Sequence, residues 1–435
     1  MTGIETARAV RAALPDGGLF HEKDWRIGTE PFPLDRRLAG EIEKLGYRLR
    51  LFVSACDVLY RLSAKGRAPE WVAELVDRGK PAELVAFQRE HGRGGEIPLV
   101  LRPDLVLTDD GFVIAEIDSV PGGIGLTAWL NECYSELGFD VTGGATGMID
   151  AFEAVAGNGD IVVSEEAATY RPEMEWIAAR INERNHSVRV LEATPRDGWS
   201  PKVYRFFEHF DLANVACAAQ LMDAVRDRRM TVTPPFKPAL EEKLWFALFW
   251  LKPLEEFWIR ELGSKACEAL RRVIPYTWLV DPEPLPRHGV LPRLDAHSWD
   301  EVAHFSQKRR QFILKISGFS ERAWGSRGVV VASDLPQREW QSELKRALAE
   351  FESAPHILQE FHPGRLVHAD YLDSQTDELQ SMRGRVRLCP YFFLGEKSVT
   401  WAGTLATICP DDKKLLHGMR DAILAPARII SDEMD

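Results

Sequence analysis

Apolar residues recur at spacings of three and four through residues 34–90, for instance at Leu38, Ile42 and Leu45. Because this spacing places them on one face of a helix, the region is predicted to be helical. The pattern changes between residues 97 and 118. Two β-rich runs there, IPLVLRPDLVL and FVIAEID, are separated by Thr-Asp-Asp-Gly, which predicts a β-hairpin.

Helix and strand patterns alternate through the rest of the chain. A helix is predicted over residues 126–137, and a βαβ-like unit follows it, with strands at Ile161–Val163 and Val188–Leu191 and a helix that begins at Pro172. An apolar helix is predicted from about Leu240, and a strand–loop–strand–helix–strand series is predicted over residues 311–362. A strand pair over Arg385–Leu394 and Val399–Thr407 is predicted to precede a charged tail. This mixture predicts an α/β (α+β) fold.

The changes of pattern divide the chain into four predicted segments. They are an N-terminal helical region over residues 1–96, the hairpin and the following helix over 97–150, the βαβ-like region over 151–232, and a mixed segment over 233–435 that opens with a proline-rich joint. With roughly 150 residues per domain, 435 residues are expected to form two or three domains or one large α/β unit.

Composition and charge narrow the classes of function. Apolar residues make up 45% of the chain and charged residues 28%, which excludes a disordered or collagen-like protein. The 66 acidic residues outnumber the 54 basic ones and give a net charge of −12, so no nucleic-acid partner is expected. The densest apolar stretch, Leu244–Leu251, is far shorter than the roughly 18 residues of a membrane span, so no membrane partner is expected.

The N-terminus and the cysteines predict a cellular location. The first 18 residues contain no apolar signal core, so a cytoplasmic protein is predicted. The six cysteines are far apart and form no Cys-x-x-Cys pair. This spacing argues against a disulfide framework or a zinc site and predicts buried free thiols.

The predicted hairpin carries four charged residues on one face. Alternation along a strand places Arg102 with Asp104, and Glu116 with Asp118. A three-residue loop, Asp109–Gly111, is predicted to set the register. In that register Asp104 lies opposite Glu116, and Arg102 lies opposite Asp118. The apolar residues predicted on the other face are Leu105, Leu107, Val113 and Ala115, and Thr108 is predicted to pair with Phe112.

This convergence of charge indicates a candidate metal site. Two acids opposite each other repel, so a cation between them is expected. Oxygen ligands suit Mg²⁺ or Mn²⁺, and an adjacent arginine suits a phosphate. The alternative is a solvent-exposed polar face with an incidental salt bridge.

A glycine-rich turn, Pro121–Gly125, follows the hairpin. Its position between a strand and a helix suggests a nucleotide-binding fold, but its sequence PGGIG matches neither GxGxxG nor GxxxxGK[ST]. A tight turn that holds the acidic strand end in place is the favoured interpretation, and a nucleotide loop is the alternative.

Two lysines and a second glycine-rich segment are candidates for phosphate binding. Lys315 lies inside an apolar strand pattern and needs an anionic partner or an exposed face. The loop after it, Gly318–Gly328, has three glycines and two arginines between two strands, as a phosphate-covering lid would. Lys243 begins an apolar helix. The alternatives are a solvated hairpin loop and, for Lys243, a lysine that extends to solvent from a helix edge.

These segments together resemble a known family. The run RPDLVLTDDGFVIAEID resembles the R-x-D … E-x-N element of glutathionylspermidine synthases and their relatives with a permuted ATP-grasp arrangement. Further segments of the chain resemble segments of that family and occur in the same order. They are KVYRFFEHFD, PPFKPALEEKLWFALFW, FILKISGFSERAWGSRGVVV and HILQEF. The resemblance covers roughly residues 98–410 and is thin between the motifs.

The resemblance implies a fold and roles for individual residues. The fold would be an ATP-grasp-type ligase with a pre-ATP-grasp, βαβ-like substrate domain. The implied metal ligands are Asp104, Glu116 and Asp118, and the implied catalytic residue is Arg102. The implied ATP-binding residues are Lys243, Lys315, Gly325, Ser326, Arg327, Gly328, Gln359, Glu360 and Phe361. The last three belong to a strand whose backbone would contact adenine, so Gln359→Ala is expected to have little effect.

The resemblance also implies a reaction. An ATP- and Mg²⁺-dependent ligase, with Mn²⁺ as another metal, would phosphorylate a small-molecule carboxylate and let an amine displace the phosphate to form an amide. Asp118 stands where the family has Asn, and Glu241–Glu242 stand where it has Ser-Asn before Lys243. The alternatives are a catalytically inactive ATP-grasp scaffold that binds nucleotide and a small-molecule kinase.

Overall fold

The computed structural model describes residues 2–21, 24–91, 94–286, 288–323, 325, 327–416 and 420–430. The chain forms two compact units. The first comprises Met1–Val53, His91–Phe236 and Gly364–Asp435, and the second comprises Ser54–Glu90 and Lys237–Pro363. The four-segment division predicted above stays a prediction.

Helices are distributed along the whole chain. The α-helices of the described residues are α1 (Gly3–Ala12), α2 (Gly18–His21), α3 (Arg36–Ser63), α4 (Trp71–Asp77), α5 (Ala82–His91), α6 (Ile124–Glu136), α7 (Gly147–Ala156), α8 (Arg171–Asn182), α9 (Ala218–Arg226), α10 (Leu244–Trp250), α11 (Glu255–Leu262), α12 (Ser264–Val273), α13 (Trp299–Ala303) and α14 (Gln337–Ala349). The helical region predicted over residues 34–90 is confirmed as α3, α4 and α5. Pro69 and Pro81 stand just before α4 and α5, where a proline is tolerated at a helix start.

The strands form three sheets. The strands of the described residues are β1 (Arg26–Gly28), β2 (Phe32–Leu34), β3 (Val100–Thr108), β4 (Gly111–Asp118), β5 (Asp160–Val163), β6 (Arg189–Glu192), β7 (Lys202–Phe206), β8 (Thr231–Thr233), β9 (Thr277–Val280), β10 (Phe312–Ile316), β11 (Val329–Val331), β12 (His356–Glu360), β13 (Leu366–Leu372), β14 (Leu379–Leu394), β15 (Val399–Pro410) and β16 (Ile423–Ile429).

The long strand β14 organises the main sheet of the first unit. The strands of that sheet follow the order β13-β1-β16-β15-β14-β3-β4, and β2 pairs with β16. One edge of β14 pairs with β15. The other edge pairs with β13 over residues 379–385 and with β3 over residues 387–393. The hairpin β3–β4 therefore lies beside the second half of β14.

The second sheet of the first unit is wholly parallel, in the order β6-β5-β7-β8. Helix α8 connects β5 to β6 and has Pro172 in its first turn. The predicted βαβ-like unit is thereby confirmed. Met174 and Ile177 of α8 belong to the same buried core as Ile161 and Val163 of β5, because a helix that crosses between parallel strands covers the sheet with its apolar face.

The sheet of the second unit is antiparallel, in the order β11-β10-β12-β9. Leu314 of β10 lies opposite Leu358 of β12, and both belong to one buried cluster with Trp340 of α14. Because successive side chains of a strand alternate, Lys315 and Gln359 lie on the other face of the sheet. The series predicted over residues 311–362 is confirmed as β10, β11, α14 and β12.

The C-terminal part of the chain contains more strand than its sequence pattern predicts. The predicted strand pair is confirmed as β14 and β15, but β13 was not predicted, and β16 falls within the stretch predicted as a charged tail. That prediction is wrong because residues 423–427 of β16 are buried between β15 and β1. Pro426 obscures the strand in the sequence, since proline normally argues against an inner strand.

Three further observations bear on the class of protein. The mixture of helices with parallel and antiparallel sheets confirms the predicted α+β class. All six cysteines are buried and free, as predicted. Among the described residues, no helix is both long enough and apolar enough to cross a membrane.

Candidate functional site

The hairpin of β3 and β4 brings together the four charged residues predicted from its sequence. Arg102 lies opposite Asp118, and Asp104 lies opposite Glu116. The predicted register of these charged residues is therefore confirmed. Asp104 is the most enclosed of the carboxylates on this face, with 7% of its surface exposed.

The turn of the hairpin differs from the prediction. Thr108 pairs with Gly111, so the loop has two residues and the predicted three-residue loop is wrong. The register shifts between Asp104 and the next residue of β3, where Ala115 is the extra residue of a β-bulge. Because the bulge adds one residue to β4, it compensates for the shorter turn and returns the charged residues to the predicted pairs.

The bulge also changes which apolar side chains of β4 face the core. Phe112 and Ile114 are buried, with 8% and 0% of their surface exposed. Val113 and Ala115, which were predicted on that face, are only half-buried. The prediction that Val113 and Ala115 face the core is therefore wrong, since the bulge reverses which residues of β4 face the core between it and the turn.

Arg102 is the centre of a group that we call the acidic hairpin cluster, made up of Arg102, Asp104, Glu116, Asp118 and Arg387. The Arg102 guanidinium lies 3.2 Å from Asp104 Oδ1 and 2.9 Å from Asp118 Oδ2. Arg387 Nη1 lies 2.9 Å from Asp104 Oδ2. Burial raises the pKa of Asp118, Arg102 opposes that rise, and the Glu116 carboxylate adds to it. Three carboxylates and two guanidinium groups leave one negative charge in excess.

Strand β14 contributes two residues that the sequence analysis missed. The Cys389 thiol donates a hydrogen bond to Asp104 at 3.4 Å, and burial raises the pKa of Cys389 to about 12, so the thiol is protonated at neutral pH. Arg387 is 283 positions from Asp104, a separation that no local pattern predicts. Its signal is a charge inside an apolar strand, the same signal that singled out Lys315.

The donor chemistry of the acidic hairpin cluster suits a nucleotide-bound Mg²⁺. Such an ion is usually held by one or two carboxylates together with phosphate oxygens and water. The residues that the structure describes contain no group of three or more His, Cys, Asp or Glu side chains that could hold a metal ion. The repulsion between Glu116 and Asp118 would be relieved by a cation. Metal binding by Asp104, Glu116 and Asp118 stays a prediction.

The glycine turn Pro121–Gly125 makes contacts within the protein. The Gly123 N–H donates to Glu173 Oε1 at 2.7 Å, and the Gly122 carbonyl accepts from Arg102 Nη1 at 3.0 Å. The turn therefore holds a charged residue of the hairpin in place. This agrees with the interpretation of the motif as a tight turn rather than a nucleotide loop.

In the second unit, Lys315 lies on the inner strand β10 and is 5% exposed. Its Nζ donates to Gln359 Oε1 at 2.8 Å, and Gln359 Nε2 donates to Thr277 Oγ1 at 3.2 Å. The side chain of Gln359 thus orients Lys315. The effect of Gln359→Ala stays a prediction, and the truncation would remove one acceptor of the buried Lys315 ammonium group.

The structure brings Lys243 next to the strand that bears Lys315. The Lys243 N–H donates to the carbonyl of Ser317 at 3.0 Å, and the Leu244 N–H donates to Ser317 Oγ at 2.8 Å. Ser317 is two residues beyond Lys315. The Nζ of Lys243 donates to the Ala323 carbonyl, within the glycine-rich loop, at 3.2 Å. Both predicted lysines and the loop thus share one neighbourhood.

A buried ion pair supports this arrangement. The side chains of Lys80 and Glu242 are 1% and 3% exposed and form an ion pair. The Ser317 hydroxyl donates a hydrogen bond to Glu242. Because Glu242 directly precedes Lys243, the ion pair and Ser317 together fix the position at which the Lys243 side chain begins.

The described part of the glycine-rich loop is anchored to α14. Arg322 Nη2 lies 2.7 Å from Glu350 Oε2, just after the end of that helix. A Cβ atom at Gly328 would lie 2.7 Å from the Arg322 carbonyl, so the loop needs glycine there. The ATP-binding roles of Gly325, Arg327 and Gly328 stay predictions, and Ser326 lies outside the described residues.

The strand predicted to contact adenine is an inner strand of the sheet. The Glu360 N–H donates to the Tyr276 carbonyl at 2.9 Å, and the Phe361 N–H donates to the Gln311 carbonyl at 3.0 Å. The Glu360 carboxylate lies 3.3 Å from Arg293 Nη1. These N–H groups are already used within the protein. Adenine binding along Gln359–Phe361 stays a prediction.

Comparison with known proteins gives a similarity to solved structures. No family model matches the sequence, and no curated protein matches it. A glutathione synthetase-like effector from Globodera pallida, solved in its apo form, aligns with a TM-score of 0.59 at 12% identity over 98% of this chain and 96% of that one. A protein from Methylobacillus flagellatus KT, provisionally assigned as a gamma-glutamylcysteine synthetase, aligns with a TM-score of 0.42 at 12% identity over 86% and 87%.

The first alignment defines the fold of the chain. It spans almost the whole of both proteins, so the chain has a glutathione synthetase-like, ATP-grasp-type α+β fold. This confirms the predicted fold class. At 12% identity the similarity concerns the fold and not the reaction. A specific relation to glutathionylspermidine synthases stays a prediction.

The buried ion pair of Lys80 and Glu242 predicts an effect on stability. We expect Lys80→Met to lower the free energy of unfolding by roughly 3–5 kcal/mol, because it leaves the buried Glu242 carboxylate without its cation. The measurement is urea unfolding followed by tryptophan fluorescence. The matched control is Lys252→Met, since the Lys252 side chain is 88% exposed and its ion pair with Glu255 lies at the surface.

A second variant separates loss of the charge pair from loss of packing. Lys80→Met combined with Glu242→Gln removes both charges, so part of the lost stability should return. Lys80→Met and Lys252→Met with equal stability would contradict the structural role of the pair.

Proposed function

We propose that the chain is an ATP- and Mg²⁺-dependent ligase that joins the carboxylate of one small molecule to the amine of another in an amide bond. The observation that carries the proposal is the buried Lys315, hydrogen bonded to Gln359 beside Lys243 and a glycine-rich loop. Lysines next to such a loop suit the phosphates of a nucleotide. The name of the fold neighbour, a glutathione synthetase-like effector, is consistent with a synthetase reaction.

The proposed reaction has two steps. A carboxylate oxygen attacks the γ-phosphorus of ATP, the bond to the β-phosphate oxygen breaks, and ADP leaves. The amine nitrogen then attacks the acyl carbon of the resulting acyl phosphate, inorganic phosphate leaves, and the nitrogen loses a proton. Both steps need positive charge around phosphoryl oxygens and protection of the acyl phosphate from water.

The charged residues described above supply these requirements. The residues proposed to contact phosphate groups are Lys243, Lys315 and Arg102, and those proposed to hold Mg²⁺ are Asp104, Glu116 and Asp118. When bound, Mg²⁺ would polarise phosphoryl oxygens and neutralise part of their charge. Arg102 is a permanent cation with a planar fork of donors, which suits a phosphoryl group during transfer. The glycine-rich loop is proposed to exclude water.

A second candidate function is a nucleotide-binding scaffold without catalysis. The observation that favours it is the pairing of Asp104 and Asp118 with Arg102, and of Asp104 with Arg387, since arginines then already neutralise most of the acidic charge. The word effector in the name of the fold neighbour also fits a protein that acts by binding.

One assay distinguishes the candidates. ADP production is measured with Mg²⁺ against a panel of carboxylic acids and amines, and the products are identified by mass. ADP release that requires both an acid and an amine, with an amide product, supports the ligase. ADP release with an acid alone and a phosphorylated product indicates a kinase. Calorimetric ATP binding without ADP release for any pair supports the scaffold and overturns the ligase.

The position of Lys315 predicts a specific loss of nucleotide affinity. A hydrogen bond to a charged group contributes about 1.5–3 kcal/mol, so Lys315→Met should weaken ATP binding by roughly 10- to 150-fold. Isothermal titration calorimetry measures the dissociation constant. Lys308→Met, at an exposed lysine shortly before β10, is the control. An unchanged ATP affinity in Lys315→Met would assign the lysine a purely structural role.

The carboxylates of the hairpin predict a metal dependence. Glu116→Gln keeps the size of the side chain but removes one negative charge, so less Mn²⁺ should bind in the presence of ATP and most ADP production should be lost. Electron paramagnetic resonance of free Mn²⁺ gives the bound fraction. Asp110→Asn, in the exposed turn of the same hairpin, should change neither quantity. Wild-type Mn²⁺ binding in Glu116→Gln would remove the metal assignment.

The geometry of Arg102 predicts a separation of binding from catalysis. If Arg102 stabilises the transferred phosphoryl group, Arg102→Lys should keep the ATP affinity but lower kcat by about 10²-fold, because lysine lacks the planar fork. If Arg102 only neutralises Asp118, lysine should substitute well and kcat should stay within a few-fold of wild type. Steady-state kinetics at saturating ATP, with thermal unfolding as the check on folding, decides between the two.

A further inference from the structure

Helix α6 begins at a carboxylate supplied by another helix of the first unit. Glu173 of α8 has none of its surface exposed, and its Oε1 and Oε2 accept hydrogen bonds from the N–H groups of Gly123 at 2.7 Å and Leu126 at 3.0 Å. The N-terminus of a helix favours negative charge because its first N–H groups point outward unpaired. The place that a phosphate would take in a nucleotide loop is thus occupied by Glu173.

The glycines of the turn allow this approach. A Cβ atom at Gly122 would lie 1.9 Å from the ring of Tyr170, and one at Gly125 would lie 2.2 Å from the carbonyl of Glu173. Gly123 has a φ of 84°, in the left-handed region that favours glycine. The PGGIG motif is therefore explained by the close packing of α8 and its preceding turn against the start of α6.

The same turn receives Arg102. The carbonyl of Gly122 accepts hydrogen bonds from Arg102 Nη1 at 3.0 Å and from the Tyr391 hydroxyl at 2.7 Å. This carbonyl and the N–H of Gly123 belong to one peptide group, which is planar and rigid. Glu173 therefore holds one side of the peptide whose other side holds Arg102, and a hydrogen bond on the N–H side also polarises the carbonyl.

We propose that Glu173 is a positioning residue that fixes the guanidinium of Arg102 through the single peptide group between Gly122 and Gly123. The inference rests on the proposed function as far as Arg102 is proposed to act on a phosphoryl group. The orientation of Arg102 itself does not depend on that function. Glu173 contacts no nucleotide or metal in this proposal and acts only through the peptide.

The charge of Glu173 governs the strength of this link. The ionisable groups that face it are Arg102 from β3, Tyr170 from the turn before α8, Tyr204 from β7 and Tyr391 from β14. Burial raises the pKa of Glu173 to about 7, against the hydrogen bonds from the α6 N-terminus and the charge of Arg102. Above that pH the carboxylate accepts hydrogen bonds from the N–H groups of both Gly123 and Leu126. Below it the protonated oxygen needs an acceptor of its own, and the link weakens.

Kinetics provides the first test, for use once ADP production is established. Wild-type kcat should rise with pH through an ionisation near the Glu173 pKa of about 7. In Glu173→Gln this ionisation should be absent, and kcat should fall by a factor of up to about ten. The ATP affinity should be unchanged, because misplacement of a catalytic group affects the chemical step. Glu175→Gln, at an exposed glutamate of the same helix, should retain the wild-type profile. A wild-type pH profile in Glu173→Gln would overturn the proposal.

Nuclear magnetic resonance provides a second test that is independent of any reaction. In protein labelled with ¹⁵N-arginine, the Arg102 signal is assigned as the one lost in Arg102→Lys. It should shift with pH near 7 in wild type and in Glu175→Gln, and it should not shift in Glu173→Gln. If the wild type makes no ADP with any pair but this shift is present, the ligase proposal fails and the positioning role stands. If the Arg102 signal does not respond to pH, the positioning role fails whatever the activity.

A wild-type measurement keeps the proposal testable should Glu173→Gln not fold. With ¹³C-glutamate labelling, the carboxyl signal of Glu173 is the one that titrates furthest above the normal glutamate range. The midpoints of the Glu173 and Arg102 titrations must coincide. Different midpoints would show that Arg102 responds to another group and would overturn the proposal.

Discussion

The half-buried guanidinium of Arg102 constrains the centre of the first unit, because a charge largely removed from water must be compensated by charges and hydrogen bonds around it. Each neighbouring element meets part of this requirement. The hairpin supplies Asp104 and Asp118, at 3.2 Å and 2.9 Å from the guanidinium, and the glycine turn supplies the Gly122 carbonyl at 3.0 Å. The glycine turn is itself held by hydrogen bonds to Glu173. Elements that are distant in the sequence thus pack together because each supplies a hydrogen bond or a charge to a polar group of another element.

The same requirement organises the second unit around its lysines. Lys315 is buried on an inner strand, and Gln359 Oε1 on the neighbouring strand accepts a hydrogen bond from its Nζ at 2.8 Å. Glu242 is compensated by Lys80 and by the Ser317 hydroxyl. Ser317 also accepts a hydrogen bond from the backbone of Lys243. Lys243 and Lys315 are thus held in place by residues that have no proposed role in the reaction. Cations that are ordered in advance would bind an anion with a smaller loss of conformational entropy.

Local patterns in the sequence predicted many of the elements and the charged face of the hairpin, but they predicted neither β13 and β16 nor the groups that surround the hairpin. The Arg102–Asp118 and Asp104–Glu116 pairs follow from alternation, yet the predicted loop was one residue too long, and the result is right only because a bulge at Ala115 compensates. A bulge leaves no signal in a two-residue period. The partners of Arg387 and Glu173 could not be predicted, because they lie far away in the sequence and only the folded chain brings them together.

Asp118 shows how one substitution changes the electrostatics of such a cluster. The family to which the sequence is predicted to be related has Asn at this position. The acid is compensated here because Asp118 lies 2.9 Å from Arg102 and accepts a hydrogen bond from the Val120 N–H at 2.9 Å. With Asn, the two arginines would balance the two remaining carboxylates. With Asp, the five side chains carry one negative charge in excess when all three carboxylates are ionised, and burial, which raises the pKa of Asp118, opposes that charge. The charge of Asp118 therefore favours a cation at this face of the hairpin, whereas the arginines alone would favour an anion.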